Sequence, residues 1–411
     1  MTEAADASWQ RSVDTGTPAV VLKLASDVLG HGPLGIARSL GRLGVAVHLA
    51  TPDARSPAGF SHYAARSWVL ARPGDDDSVL RTLEALVRHT GGRPVLIAAD
   101  DVAALFVDRQ LVDLRALFAL PDQPAGLPLE LSDKRRLHER CLELGIPTPE
   151  ARVPRSLAEA REAAAELGFP VVVKAADPRS LGGPDSPASV TIVRDGGQLG
   201  SLFAHVDPAA LPELLLQEYI PGDATSVWMF NGYFARDGTC PIGIVGQKIR
   251  QAPPRTGATS LGIVVDNEAV RELSTTFLQR LGYRGIIDMG VRFDERDGRY
   301  KVLDVNPRIG ASFRLFVASN GLDVARALYL DMTGQAIPPA SVVAGRRWWV
   351  EDRDTATAFR LMRSRQLRLP TYLGSLRGID ETALLARDDL RPVAALIKSK
   401  TANLVRGLFR R

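Results

Sequence analysis

The stretch Tyr300-Lys301-Val302-Leu303-Asp304-Val305-Asn306-Pro307-Arg308 sets an acid, an amide and a guanidinium at alternate positions. Its apolar and β-branched residues predict a strand over 301 to 305, and side chains two apart on a strand share a face. Asp304 and Asn306 therefore offer two oxygen ligands in one direction. Hard cations such as Mg²⁺ take oxygens of this kind beside phosphates. Pro307 ends the strand and lets Arg308 reach the same region as an anion-binding fork.

The preceding segment, Gly285-Ile286-Ile287-Asp288-Met289-Gly290-Val291-Arg292-Phe293, joins it through the hairpin signal Asp294-Glu295-Arg296-Asp297-Gly298. Asp288 interrupts an apolar run, and a lone buried carboxylate is costly unless a cation or donor meets it. A metal is one such partner. Ion pairing of Asp288 and Asp304 with Arg292 and Arg308 is the other.

Upstream, Phe169-Pro170-Val171-Val172-Val173-Lys174-Ala175-Ala176 reads as a short buried strand with one lysine, followed by a Gly/Ser/Pro-rich loop over 177 to 187. An ammonium beside such a loop suits a polyphosphate under a mobile lid; a lysine snorkelling from a strand end gives the same pattern. The run Leu214-Leu215-Leu216-Gln217-Glu218-Tyr219-Ile220-Pro221-Gly222-Asp223 is an apolar strand entering a turn. Backbone groups there can pair with an adenine edge and Asp223 with ribose hydroxyls. An ordinary strand exit reads identically.

In this order the four segments resemble the ATP-grasp superfamily, and within it the carboxylate-amine ligase branch, over roughly residues 125 to 333. The resemblance implies an ATP-grasp fold of mixed α/β and α+β class. It divides the chain into a disordered leader (1–17), a parallel-sheet pre-ATP-grasp domain (18–125), an N-subdomain with linker helix (126–205), a C-subdomain (206–333) that clasps nucleotide with it, and a C-terminal extension (334–411). Carried over by position, Lys134 in Ser132-Asp133-Lys134 and Lys174 correspond to the two triphosphate lysines, and Gln217, Glu218 and Ile220 to the adenine hinge. Asp223 corresponds to the ribose contact, and Asp288, Asp304 and Asn306 to the ligands of Mg²⁺, or of Mn²⁺ in its place. Arg308 corresponds to the residue that holds an acyl phosphate. Many relatives carry Glu where Gly290 aligns and Glu at position 304; Asp288 shares a strand face with Gly290 and supplies an oxygen by parity.

The activity so implied is ATP-dependent ligation of a small-molecule carboxylate to an amine, yielding ADP and phosphate, by a homodimer. No protein nucleophile is needed, because positioning and electrostatics carry phosphoryl transfer. Nearer the hinge, Ile242-Gly243-Ile244-Val245-Gly246-Gln247-Lys248-Ile249-Arg250 alternates so that Lys248 and Arg250 share a face, as phosphate or substrate contacts or as solvated strand charges.

Composition is compatible with an enzyme of several domains: 411 residues, 45% hydrophobic and 24% charged. A net charge of +4, much of the excess near the C-terminus, and the lack of a zinc knuckle or aromatic-basic stripe argue against nucleic acid. Cys141 and Cys240 lie far apart, form no metal spacing, and fit a reducing cytoplasm. No apolar run spans a bilayer and the first residues lack a signal-peptide plan. The run from 393 to 411 alternates apolar residues with Lys398, Lys400, Arg406, Arg410 and Arg411, which fits a basic helix on an anionic membrane face or a docked terminal helix.

The N-terminal part alternates strands (19 to 24, 45 to 50, 94 to 98) with helices (through 43, and 78 to 89), which predicts a parallel sheet. A Pro-rich link over 120 to 128 and a helix capped by Ser132 follow. Gly30, Gly32 and Gly35 match a dinucleotide fingerprint with Asp53 at ribose distance, so an NAD(P)-dependent oxidoreductase is the rival function. In ATP-grasp relatives the same opening faces the substrate cleft, with His31, Asp100 and Asp101 as candidate contacts. A non-catalytic nucleotide-binding descendant is the third reading. The paired Trp348-Trp349 is expected to pack against the core.

Overall fold

The computed structural model describes residues 7–26, 30–175, 190–204, 214–254 and 257–398. The loop at 177 to 187 and the chain from 399 onward, where the sequence places a lid and most of a terminal helix, lie outside the described residues; 391–398 are helical.

Strands β1 (Ala19–Leu22), β2 (Val47–Thr51), β3 (Ala64–Val69) and β4 (Val95–Ala98) form a parallel sheet in the order β3-β2-β1-β4. All four residues of β1 are fully buried, as expected of a central parallel strand with both faces covered. Asp100 accepts from Ala103 N at 2.8 Å to cap the helix Asp101–Arg109, and its other oxygen accepts from Leu24 N and Ala25 N at 2.9 Å. This ties the loop after β1 to the helix after β4, where the strand order reverses and ligands bind in open α/β sheets.

A second sheet, antiparallel in the order β5-β8-β6-β7, comprises β5 (Ala151–Arg152), β6 (Val171–Ala175), β7 (Val190–Val193) and β8 (Leu214–Glu218). The helix Leu157–Leu167 covers it, capped by Ser156 Oγ accepting from Glu159 N at 3.1 Å. The third sheet has seven strands in the order β13-β12-β9-β10-β11-β14-β15. These are β9 (Val227–Phe234), β10 (Ile242–Ala252), β11 (Ala258–Val264), β12 (Gly285–Asp294), β13 (Arg299–Asn306), β14 (Arg347–Trp349) and β15 (Glu381–Thr382). The C-terminal extension thus adds two strands to this sheet, and Trp348 is buried in the core that it shares with the parallel sheet.

Several expectations are corrected. Residues 8–17 are not a floppy leader: Trp9 Nε1 donates to Asn320 O at 3.1 Å, and Tyr329 Oη donates to Thr17 O at 2.7 Å. Ser132 is the last residue of the helix Leu127–Ser132, and the next helix, Lys134–Glu143, is capped by Asp133, which accepts from Arg135 N and Arg136 N. An Asp one residue later supplies the same acceptor chemistry.

The glycine fingerprint serves packing. A Cβ on Gly35 would come 2.8 Å from the Phe313 ring, and one on Gly32 would come 3.7 Å from Ala311 Cα. The segment after β13 thus packs closely against the helix that the motif opens. Asp53 accepts from Arg55 N at 2.8 Å instead of facing a ribose site.

Candidate active site

The hairpin of β12 and β13 places Asp288 opposite Asn306 and Gly290 opposite Asp304. The register then slips, pairing Val291 with Val302 and leaving Leu303 as the extra residue of a bulge. Bulges re-aim neighbouring groups, and here the Leu303 carbonyl accepts from Lys174 Nζ at 3.4 Å. Asn306 Nδ2 donates to Asp304 Oδ2 at 3.1 Å and to the Asp288 carbonyl at 3.2 Å, closing the three oxygen-bearing residues into one patch.

Cations meet that patch from two sides. Lys134 Nζ donates to Asp304 Oδ1. Arg308 Nε donates to Asp101 Oδ1 at 2.8 Å while its Nη1 reaches Asp288 Oδ2 at 3.3 Å. The ion-paired arrangement foreseen for these carboxylates is therefore the one observed, with Arg308 rather than Arg292 on Asp288 and Lys134 on Asp304. Arg292 instead donates to Gly222 O at 2.7 Å.

Burial sets the electrostatics. It pushes the Asp288 carboxyl up, against the pull of Arg308 and Lys248. It pushes Lys134 down to about 8, and Lys174 down to about 7 with help from the Lys134 charge. Cationic sites held this far below the usual lysine value favour an anionic ligand that restores their charge.

These groups line one cavity of about 490 Å³ between the second and third sheets. It also takes in Gln217, Glu218 and Ile220 at the hinge, Lys248 from β10, and His31 and Asp101 from the parallel-sheet part. Three expected contacts stand differently. The Glu218 carboxylate is bound by Lys301 at 3.0 Å and by Arg296 at 2.5 Å, so only its backbone remains for a hinge. Asp223 is not among the lining residues and accepts from Thr225 N at 2.8 Å. Lys248 and Arg250 do not share a destination, because a bulge separates them: Lys248 lines the cavity, and Arg250 turns to Asp354 at 2.8 Å.

Sequence reasoning missed Gly310. A Cβ there would come 2.6 Å from the Asp288 carboxylate carbon, so only glycine leaves the acid its place. It also missed Arg353, which enters the cavity from the extension. Among the described residues no three His, Cys, Asp or Glu side chains gather as a metal site. The donor set of two carboxylates and one amide fits a Mg²⁺ whose remaining oxygens come from phosphates and water.

Residues 131–312 match the model of the ATP-grasp domain. The D-aspartate ligase of Enterococcus faecium is 25% identical over 263 residues, 62% of each chain. The carbamoyl phosphate synthase large chain of Thermus thermophilus is 27% identical over 221 residues, 52% of this chain and 20% of that one. The chain thus spans less than two thirds of either relative. Among solved structures, the ADP complex of N5-carboxyaminoimidazole synthetase from Staphylococcus aureus has a similar fold (TM-score 0.62, 15% identity, 82% of both chains). So does a biotin carboxylase from Campylobacter jejuni (TM-score 0.60, 16% identity, 81% of this chain and 75% of that one). The hairpin oxygens and the two lysines thus face one cavity inside the stretch that matches the ATP-grasp domain.

Proposed function

We propose that this protein is an ATP-dependent ligase that joins a carboxylate to an amine through an acyl phosphate. The observation that carries the proposal is the convergence of Asp288, Asp304 and Asn306 with Lys134, Lys174 and Arg308 on one cavity. The D-aspartate ligase relative supports an amino acid as one substrate. We assign it to the cytoplasm, consistent with two free cysteines, and take a homodimer as its working assembly.

A carboxylate resists an amine because its leaving group would be oxide. In the first step a substrate carboxylate oxygen attacks the γ-phosphorus of ATP and the bond to the β–γ bridging oxygen breaks, releasing ADP. In the second, the amine attacks the acyl carbon, phosphate leaves and the amine loses a proton. Lys134 and Lys174 neutralise the phosphates, and Arg308, held by Asp101, stabilises the anionic acyl centre. The backbone from Gln217 to Ile220 orients adenine and Lys248 steadies the phosphate end. Asp288, Asp304 and Asn306 would hold Mg²⁺, which when bound supplies charge neutralisation on the phosphate oxygens.

The test is Mg²⁺-dependent ADP release from the full chain against a panel of acids paired with amines. Turnover with at least one pair, abolished in Asp304→Ala, is expected. ATP binding without ADP release for any pair would favour a nucleotide-binding protein without catalysis.

A further inference from the structure

Across the seven-stranded sheet from the metal hairpin, the cavity wall is built by β10, β11 and the segment that begins the extension's first helix, Glu351–Arg363. The side chains that this wall contributes are Lys248, Gln251, Thr259, Trp348, Val350 and Arg353, none of them acidic. Lys248 donates to Gly257 O at 3.3 Å and feels the Asp288 charge, so it belongs to the phosphate end. Arg353 is half-buried, and among the described residues its guanidinium has no ion-pair partner.

The position of Arg353 is fixed by its neighbour. Asp354 is fully buried and accepts from Arg250 Nη2 at 2.8 Å, Ser260 Oγ at 2.9 Å and Trp349 Nε1 at 3.0 Å. That clamp seats the helix's first turn against β10 and β11 and leaves the next residue back, Arg353, facing the cavity beside the apolar Trp348 and Val350. A guanidinium held beside apolar walls strongly favours an anion, because burial of an uncompensated charge is costly. Nucleotide phosphates already have Lys134 and Lys174. β10 and β11 lie two and three strands from β12, so this wall stands about 10 to 14 Å from the metal strand.

We propose that Arg353 is a specificity-determining residue that binds a second carboxylate of the substrate, remote from the one that is phosphorylated. This rests on the ligase reading above and names its substrate class: an elongated carbon chain with a carboxylate at each end, one at Arg308 and one at Arg353, its middle along the wall of β10 and β11.

The test is calorimetric titration of the full chain, saturated with Mg²⁺ and ADP, with pimelate and azelate against heptanoate and nonanoate. Each dicarboxylate should bind about tenfold or more tighter than the monocarboxylate of equal length. Arg353→Gln should erase that advantage and Arg353→Lys should keep part of it, with ADP affinity and the unfolding midpoint unchanged, since Asp354 carries the packing. Equal binding of both series by the native chain would overturn the inference, as would an advantage that survives in Arg353→Gln. Arg353-dependent binding without ADP release from ATP in any acid and amine pair would leave this subsite standing and sink the ligase reading alone.

Discussion

Arg308 Nε donates to Asp101 Oδ1 at 2.8 Å, so a carboxylate at the head of the helix after β4 fixes the guanidinium at the end of β13. Asp101 remains half-exposed on its side chain, yet Arg308 holds its carboxyl below the ordinary range despite opposing burial. The pair orients the fork toward the place where anionic charge develops. Arg308→Gln should lower kcat for ADP release by about 10²–10³ with little change in the KM for ATP. Asp101→Asn should lower kcat by about tenfold, because one aimed hydrogen bond weakens while the guanidinium stays. Steady-state ADP release separates the two.

Lys134 Nζ donates to Asp304 Oδ1, and this pairing predicts coupling between metal and nucleotide. A divalent ion must displace Lys134 from Asp304, which the triphosphate accomplishes by drawing the ammonium to itself. Mn²⁺ should therefore bind weakly to the free protein and at least about tenfold more tightly with a non-hydrolysable ATP analogue, as read by electron paramagnetic resonance of free Mn²⁺. Lys134→Met should raise Mn²⁺ affinity of the free protein and weaken binding of the analogue. Equal Mn²⁺ affinity with and without the analogue would falsify the coupling.

The two lysines also set a pH dependence. Burial pushes Lys174 down to about 7 and Lys134 to about 8, from an ordinary 10.5. A triphosphate binds their protonated forms and raises both values, so binding takes up protons and weakens as pH rises through 7 to 8. The Kd for ATP should increase by up to about tenfold per pH unit above this window for each lysine that must charge. Titration at pH 8 in buffers of different ionisation enthalpy should show net proton uptake, absent in Lys174→Met for that site. At Lys174 the sign for stability is opposite to that of a lysine paired with a carboxylate: its folded pKa lies below the unfolded one, so the unfolded chain binds more protons between about 7 and 10.5, and this site adds stability as pH rises across that window.

Much of this site is legible from local pattern, because alternation along β12 and β13 fixes which side chains share a face. Parity puts Asp304 with Asn306 and Asp288 with Gly290, and the hairpin register then sets the two pairs opposite each other. Parity fails where the backbone departs from the regular ladder. The bulge in β10 sends Arg250 to Asp354 while Lys248 lines the cavity, and no residue type in Gln247-Lys248-Ile249 announces it. Gly35 misleads for another reason: the motif records a need for close approach, and only the fold reveals that the approaching body is Phe313 rather than a pyrophosphate. The extension was unreadable because its strands are two and three residues long and acquire meaning only against β11.

Gly310 gives the sharpest separation of geometry from stability. Its backbone lies so close to Asp288 that a Cβ would meet the carboxylate carbon at 2.6 Å, less than any real Cβ contact allows. In Gly310→Ala either the acid or the segment after β13 must move, and overpacking of this kind typically costs about 1–3 kcal/mol. Moving the acid takes one oxygen from the metal set and breaks the Arg308 Nη1 contact at 3.3 Å. The expected phenotype is therefore loss of Mg²⁺-dependent ADP release by more than about a hundredfold, with a fall in the unfolding midpoint of a few degrees. The double variant Gly310→Ala with Asp288→Ala should recover the midpoint, since the colliding carboxylate is gone, and should not recover turnover. Recovery of turnover in the double variant would show that Asp288 is no ligand and that the hairpin works through Asp304 and Asn306 alone.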